Sequence, residues 1–281
     1  MRKILIPTDF STNSMNAAKY AAELFKHGPC EIYFLHAFAD EVYDAKTQSP
    51  EIHFDELKQQ IAIRVENGLE QIRKELFNSF PNPKHKMTTI AEFGMLVDSV
   101  NDWVDKENID VVVMGTQGKT DDKEITFGSN TLQVIKYVKC PVLAVPEVFG
   151  DVHPKNILFP TDFQIPYKRR ELKLLGTIAK GFAAKISFLH VAKFPSISLR
   201  QQDNKSFLEA SLVDNQIDFI QESNKDLTRT INEYLVENPI DMLVMVNTRH
   251  SYLENILYQS TIEKIGLHID IPFLVLQNLP R

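Results

Sequence analysis

The sequence contains two copies of one pattern, and this internal repeat limits the possible folds more than any other feature. Lys3–Phe10 (KILIPTDF) recurs 153 residues later as Asn156–Phe163 (NILFPTDF). Ile32–Ala37 recurs as Ile186–Val191, at an offset of 154 residues. Because the matched segments keep their order and nearly the same spacing, we expect two units with one architecture.

The later segments repeat at a shorter offset of 131 residues. Ile109–Met114 matches Ile240–Met245, and Cys140–Val145 matches Ile271–Leu276. Since the offset falls from 154 to 131, the second copy has lost a little over twenty residues between its second and third strands. Four apolar positions at helical spacing match at the same offset: Leu96, Val100, Trp103 and Val104 correspond to Leu227, Ile231, Tyr234 and Leu235.

A short connector, residues 146–154, lies between the two copies, with proline at each end and one glycine. Composition of this kind is typical of a domain boundary. We therefore predict two domains, residues 1–147 and residues 154–281.

Apolar runs and helical stripes alternate along each copy. In the first copy, strands buried on both faces are predicted at residues 3–8, 31–38, 110–115 and 141–145, with a less regular candidate at 87–93. The longest helical stripe runs from Phe54 to Leu76. This alternation predicts an α/β fold of two tandem doubly wound domains, each with a five-stranded parallel sheet covered by helices on both faces.

Ligands of doubly wound sheets bind beyond the carboxyl ends of the strands, where the strand order reverses. In the first copy this edge would carry Pro7, Thr8 and Asp9 after the first strand and Ala37 after the second. The chain from Gly115 onward would follow the fourth strand. The sequence therefore predicts one crevice formed by these segments.

A glycine loop follows the fourth strand of the first copy. Gly115 and Gly118 come first, and Gly128, Ser129 and Asn130 stand at the start of a predicted helix. Glycine lets the backbone approach a phosphate closely and adopt positive φ. The N–H groups and dipole of a helix N-terminus favour anions. This spacing suits nucleotide phosphates without a Walker-type lysine, although the same glycines also suit ordinary turns and caps.

The chain resembles a tandem universal stress protein. ATP-binding members of that family carry Gly, two residues, Gly, nine residues, and then Gly-Ser or Gly-Thr. The residues that match this motif are 115, 118, 128 and 129. Pro7–Asp9, Leu35-His36 and Cys140–Leu143 are also similar to the family, so the resemblance extends over both copies. It implies an adenine nucleotide alpha hydrolase-like, Rossmann-like fold.

The resemblance also implies residue roles in the first copy. Asp9 and Ala37 would flank adenine and ribose, Gly115 would lie beside the ribose, and the later glycines with Ser129 would hold the phosphates. ATP is the implied ligand, and a Mg²⁺ ion would be held mainly by its phosphates. No catalytic residue and no protein metal site is assigned. The implied nucleotide-binding set is Pro7, Thr8, Asp9, Ala37, Met114, Gly115, Gly118, Gly128, Ser129 and Asn130.

The second copy departs from the motif. At the offset of 131 residues, the three motif glycines become Val246, Arg249 and Gln259, and only the serine is kept, as Ser260. Side chains therefore occupy positions where backbone would touch the ligand. We expect this copy to be a structural partner that does not bind ATP in the family's manner.

Composition excludes several classes of protein. A net charge of −6 argues against general binding to nucleic acid, because nothing offsets phosphate repulsion over a broad surface. No apolar run approaches the roughly 18 residues of a membrane span, and the opening apolar stretch is shorter than that of a signal peptide. Cys30 and Cys140 are too few for a disulfide framework or a metal site. We expect a cytoplasmic protein without nucleic-acid or membrane partners.

We expect an ATP-binding regulatory protein with a stress-response role. A slow ATPase or adenylyl-transfer enzyme is one alternative, although the sequence shows no convincing general base or arginine finger. A structural interaction module without a ligand is another. Because edge strands are usually covered, we expect Val142–Val145 and Phe273–Leu276 to pair the copies as an intrachain pseudo-dimer. Association of two chains into a homodimer is a further expectation.

Three acidic residues, Asp121, Asp122 and Glu124, precede Gly128 in the glycine loop. Near a triphosphate, each exposed carboxylate weakens binding by about 0.2 to 1 kcal/mol. Replacing them by Asn, Asn and Gln should tighten ATP about three- to thirtyfold at low salt, and less at high salt. Adenosine affinity, measured as a control, should not change. An unchanged ATP affinity would show that these residues face away from the ligand.

Overall fold

The computed structural model describes residues 1–116, 127–148, 152–192, 196–223, 226–248, 253 and 270–278. These residues belong to two compact units, and the chain passes from one to the other at Glu147 and Val148. Within the described ranges, no helix has the length and apolar character needed to cross a lipid bilayer.

Unit 1, residues 1–116 and 127–147, alternates strands and helices. Its elements are β1 (Arg2–Pro7), α1 (Thr12–Leu24), β2 (Cys30–Ala37), α2 (Ala39–Gln48), α3 (Phe54–Ser79), β3 (His85–Glu92), α4 (Leu96–Glu107), β4 (Val111–Gly115), α5 (Ser129–Tyr137) and β5 (Val142–Val145). The strands pair in parallel in the order β3-β2-β1-β4-β5. This confirms the predicted doubly wound sheet, whose strand order reverses between β1 and β4.

Unit 2, the described residues from Val148 onward, follows the same plan. Its elements are β6 (Asn156–Pro160), α6 (Arg169–Phe182), β7 (Lys185–Val191), α7 (Leu199–Ser211), β8 (Gln216–Glu222), α8 (Leu227–Glu237), β9 (Met242–Asn247) and β10 (Phe273–Gln277). The strands pair in parallel in the order β10-β9-β6-β7-β8. The strand order reverses here between β6 and β9.

One polar contact fixes the start of the first strand in each unit. Asp110 Oδ2 accepts a hydrogen bond from Lys3 N at 2.9 Å, and Asp241 Oδ2 accepts one from Asn156 N at 2.8 Å. These residues occupy matching positions in the sequence repeat. The repeat therefore extends to individual side-chain contacts.

The units differ most between their second and third strands. In unit 1, residues 38–84 contain α2 and α3, whereas the described part of residues 192–215 in unit 2 contains α7. The sequence predicted α3 from a stripe whose members are buried: Leu57, Ile61, Val65, Leu69, Ile72 and Leu76. It did not predict α2, because only Ala39 and Val42 of that helix are buried.

Cys30 begins β2 and is buried. Burial raises the pKa of its thiol to about 11, an effect that the Arg2 guanidinium offsets only in part. Because the thiolate is the nucleophile, alkylation of Cys30 by iodoacetamide at pH 8 should be roughly a hundredfold slower in the folded than in the unfolded protein. The rate should rise as the pH approaches 11. Peptide mapping by mass spectrometry checks this, and equal rates in both states would contradict it.

Candidate functional site

The carboxyl ends of β1, β2 and β4 surround the strand-order reversal of unit 1. Thr8 N donates to Leu35 O at 2.9 Å, which extends the β1–β2 pairing one residue beyond β1. Asp9 then enters the β1–α1 loop, while Ala37 ends β2. The predicted residues at or beside this edge are Pro7, Thr8, Asp9, Ala37, Met114, Gly115, Gly128, Ser129 and Asn130. Gly118 lies outside the described residues.

The β1–α1 loop is held by its own polar groups. The hydroxyl of Thr8 accepts from Phe10 N at 3.1 Å and lies 2.9 Å from the hydroxyl of Ser14. Asp9 Oδ1 accepts from Ser11 N at 3.0 Å. Phe10 has a φ of 63°, in the left-handed region that is unfavourable for a residue with a side chain. These hydrogen bonds hold the loop in a strained shape, which is common at binding sites.

A close contact explains why residue 115 is glycine. A Cβ atom at Gly115 would lie 2.7 Å from Cγ and 2.8 Å from Nδ2 of Asn13, a separation that forces one of the two groups to move. Asn13 is buried in the first turn of α1. The glycine therefore lets α1 pack against the end of β4. Sequence reasoning missed Asn13, whose only signal is a polar residue near the start of an apolar helix.

Gly128 closes the loop that follows β4. Its N–H donates to Thr116 O at 2.8 Å, and α5 begins at the next residue, Ser129, as predicted. Thr131 Oγ1 donates to Gly115 O at 2.9 Å and ties the first turn of α5 to the end of β4. The N-terminus of α5 thus lies directly beside the end of β4.

The motif glycines that the structure describes do not use the positive φ that glycine permits. Gly128 has a φ of −63° and a ψ of 160°, and no glycine in the described ranges has a positive φ. Any residue adopts these angles. What Gly128 contributes is the absence of a side chain beside the first N–H groups of α5, which have no partner within their own helix.

In unit 2, a larger residue occupies the end of the fourth strand. Val246 pairs with Leu276 in the register in which Gly115 pairs with Val145. The side chain of Val246 is buried. The predicted replacement of glycine by valine therefore falls at the same structural position. Arg249, Gln259 and Ser260, the other replacements, lie outside the described residues.

Further side chains of unit 2 lie near the ends of its strands. The hydroxyl of Tyr167 hydrogen-bonds that of Thr161, and Asn247 Nδ2 donates to Gln277 Oε1 at 3.0 Å across the ends of β9 and β10. A cavity of about 10 Å³ remains beside Tyr167, with room for about one water molecule. Burial also raises the pKa of the carboxyl of Asp162, the counterpart of Asp9. Described side chains of unit 2 therefore occupy the space beside the ends of β9 and β10.

Gly115→Ala should lower the free energy of unfolding by about 1 to 3 kcal/mol, because the added methyl group must displace Asn13. Gly28→Ala is the matched control, since a Cβ atom at Gly28 would meet no atom within 4 Å. That variant should be neutral or slightly stabilising. Denaturant unfolding of both variants makes the comparison, and equal stabilities would contradict the steric explanation.

Comparison with known proteins identifies the family. A sequence profile of the universal stress protein family matches residues 1–146. Universal stress protein MJ0577 of Methanocaldococcus jannaschii is 30% identical to the chain over 156 residues, which cover 51% of this chain and 94% of that protein. Universal stress protein MJ0531 of the same organism is also 30% identical, over 144 residues that cover 51% of this chain and 81% of that protein. A universal stress protein from Archaeoglobus fulgidus shares the fold of both units, with a TM-score of 0.66 and 18% identity over 98% of this chain and 96% of that chain. The chain belongs to the universal stress protein family.

Proposed function

We propose that unit 1 binds ATP at the carboxyl edge of its sheet and that its nucleotide state regulates the protein in a stress response. The observation that carries this proposal is the hydrogen bond from Gly128 N to Thr116 O, which puts the N-terminus of α5 beside the end of β4. The unpaired N–H groups and the dipole of a helix N-terminus stabilise phosphate. The complete glycine motif and the family membership favour a nucleotide over other anions.

In this proposal the strand ends receive the nucleoside and α5 receives the phosphates. Asp9 and Ala37 flank adenine and ribose, and Gly115 lies beside the ribose with Met114 behind it. One carboxylate oxygen of Asp9 is engaged by Ser11 N, and no described residue donates to the other, which is available to a nucleoside hydroxyl or amine. The phosphates are assigned to Gly118, Gly128, Ser129 and Asn130.

We propose that Mg²⁺ accompanies ATP and is bound mainly by phosphate oxygens, as is common in ATP sites. Among the described side chains, no group of three or more His, Cys, Asp or Glu is placed to hold a metal ion. We assign this role to the cytoplasm, where ATP is abundant. The thiols of Cys30 and Cys140, which form no disulfide with each other, are compatible with that reducing compartment.

Unit 2 is proposed to be the structural partner of unit 1 and not a second nucleotide site. The buried Val246 and the small cavity beside Tyr167 support this assignment. We also propose that β5 and β10, each at an edge of its own unit's strand order, pair to form an intrachain pseudo-dimer. Association of two such chains into a homodimer is part of the same proposal.

Gly128→Val should abolish ATP binding, because the isopropyl group would stand between the phosphates and the first N–H groups of α5. The backbone angles at this position suit valine, so the free energy of unfolding should fall by no more than about 1 kcal/mol, the usual preference for glycine over valine at an N-cap. Calorimetric titration and denaturant unfolding measure the two effects. Gly118→Val should lose binding as well, whereas Arg249→Gly in unit 2 should not. Full ATP affinity in Gly128→Val would contradict the proposal.

Pairing of β5 with β10 can be tested by hydrogen exchange. In an unpaired edge strand, alternate amides face solvent and exchange rapidly, whereas in a paired strand all amides are protected. We expect every amide of Val142–Val145 and Phe273–Gln277 to be protected in NMR-detected exchange. Rapid exchange at alternate positions of both strands would rule out the pseudo-dimer.

A further inference from the structure

A buried histidine supports the β1–α1 loop from behind. Nδ1 of His36 lies 2.6 Å from Thr8 O, and Nε2 lies 2.8 Å from Glu41 Oε1. A carbonyl oxygen only accepts hydrogen bonds, so Nδ1 is the donor to Thr8. Nε2 faces the carboxylate of Glu41 and donates to it when the ring is protonated, since a neutral imidazole carries only one N–H. The imidazole is therefore held at both ends, and only 6% of the side chain is exposed.

The same ring contacts the residue on the other side of Asp9. The ring centroids of His36 and Phe10 are 4.6 Å apart, with 31° between the ring planes. Gly68 of α3 confines the Phe10 ring as well, because a Cβ atom there would lie 2.7 Å from Phe10 Cε1. His36 thus holds Thr8 by a hydrogen bond and Phe10 by a ring contact, and Asp9 lies between these two residues.

The support behind His36 comes from the segment that is shorter in unit 2. Glu41 belongs to the first turn of α2, and its second oxygen accepts a hydrogen bond from Arg64 of α3. Glu41 thereby gives the imidazole an anchor on the side away from the loop.

The described part of unit 2 retains the histidine's contacts with the loop after the first strand, but not the contact with a carboxylate. His190 Nδ1 lies 3.1 Å from Thr161 O, and the ring of His190 is 5.2 Å from that of Phe163, whose φ is 56°. In the described part of unit 2, no carboxylate accepts a hydrogen bond from Nε2 of His190. The carboxylate-anchored histidine therefore distinguishes unit 1, which carries the glycine motif, from the described part of unit 2.

We propose that His36 is a positioning residue for the nucleotide, acting through the β1–α1 loop to fix the carboxylate of Asp9, with Glu41 and Arg64 anchoring its ring. This inference rests on the proposed ATP site in unit 1. Phe10 is in an unfavourable backbone region, so a loop without its restraints relaxes to other conformations. Binding must then restore the order of Asp9, and that cost lowers affinity.

Two substitutions of His36 separate the effect of its hydrogen bond to Thr8 O from the effects of its other contacts. In His36→Asn the amide nitrogen lies near the position of Nδ1 and can donate to Thr8 O. In His36→Gln the amide lies nearer the position of Nε2 and loses that donor. Both variants lack the ring contact with Phe10, so their difference isolates the hydrogen bond to Thr8.

We expect His36→Asn to bind ATP about two- to tenfold more tightly than His36→Gln, measured by calorimetry well below both unfolding midpoints. Adenosine should show the same ratio, because Asp9 contacts the nucleoside and not the phosphates. Glu41→Gln keeps an acceptor for Nε2 and should bind ATP within about twofold of the wild type, whereas Glu41→Ala should bind more weakly.

The matched control is the pair His190→Asn and His190→Gln in unit 2, which should bind ATP equally. Equal affinities of the two His36 variants in a wild-type background that binds ATP would overturn the positioning role and leave the ATP site standing. A difference within the His190 pair as large as that within the His36 pair would also overturn it, since the effect would then be general. If the wild-type chain does not bind ATP, the proposed function fails and the positioning role fails with it.

Discussion

The reversal of strand order between β1 and β4 is the constraint on which the rest of unit 1 depends. The connection that leaves β1 runs toward β2, and the connection that leaves β4 runs toward β5, so the two diverge at neighbouring strand ends. Right-handed crossovers place the following helices on opposite faces of the sheet. An opening therefore forms above the ends of β1 and β4 without any contribution from loop sequence. Asp9 and Gly115 reach this opening because Asp9 is the second residue after β1 and Gly115 is the last residue of β4.

The two units have different side chains at this opening. In unit 1, Gly115 leaves space that Asn13 of α1 approaches closely, and α5 begins beside it. In unit 2, Val246 and Tyr167 occupy the equivalent region and leave a cavity of only about 10 Å³. The backbone plan is the same in both units. The two units therefore differ at the ends of their fourth strands in the side chains and not in the strand order.

The features that could be predicted from the sequence are those that produce a local pattern or recur in both copies. Buried parallel strands appear as continuous apolar runs, and the matched offsets imply matched folds, so the sheet, α3 and the start of α5 were all predictable. Helix α2 was not, because a helix with two buried residues leaves almost no periodic signal.

Contacts between distant parts of the chain were also beyond prediction. The steric role of Gly115 depends on Asn13, about a hundred residues earlier, and no local motif records that distance. The glycine motif does not indicate which backbone angles Gly128 adopts, and as the N-cap of α5 it has ordinary extended angles. His36 recurs in the second copy as His190, but the repeat does not show what its ring contacts. Its partners Glu41 and Arg64 come from two helices, and only the folded chain brings them to the same ring.

The stoichiometry of nucleotide binding tests most directly whether unit 1, and not unit 2, forms the site. Isothermal titration calorimetry of the full chain with ATP and Mg²⁺ measures it. We expect one ATP per chain, because side chains already occupy the equivalent space in unit 2. Two equivalent sites per chain, or no binding at all, would contradict the assignment.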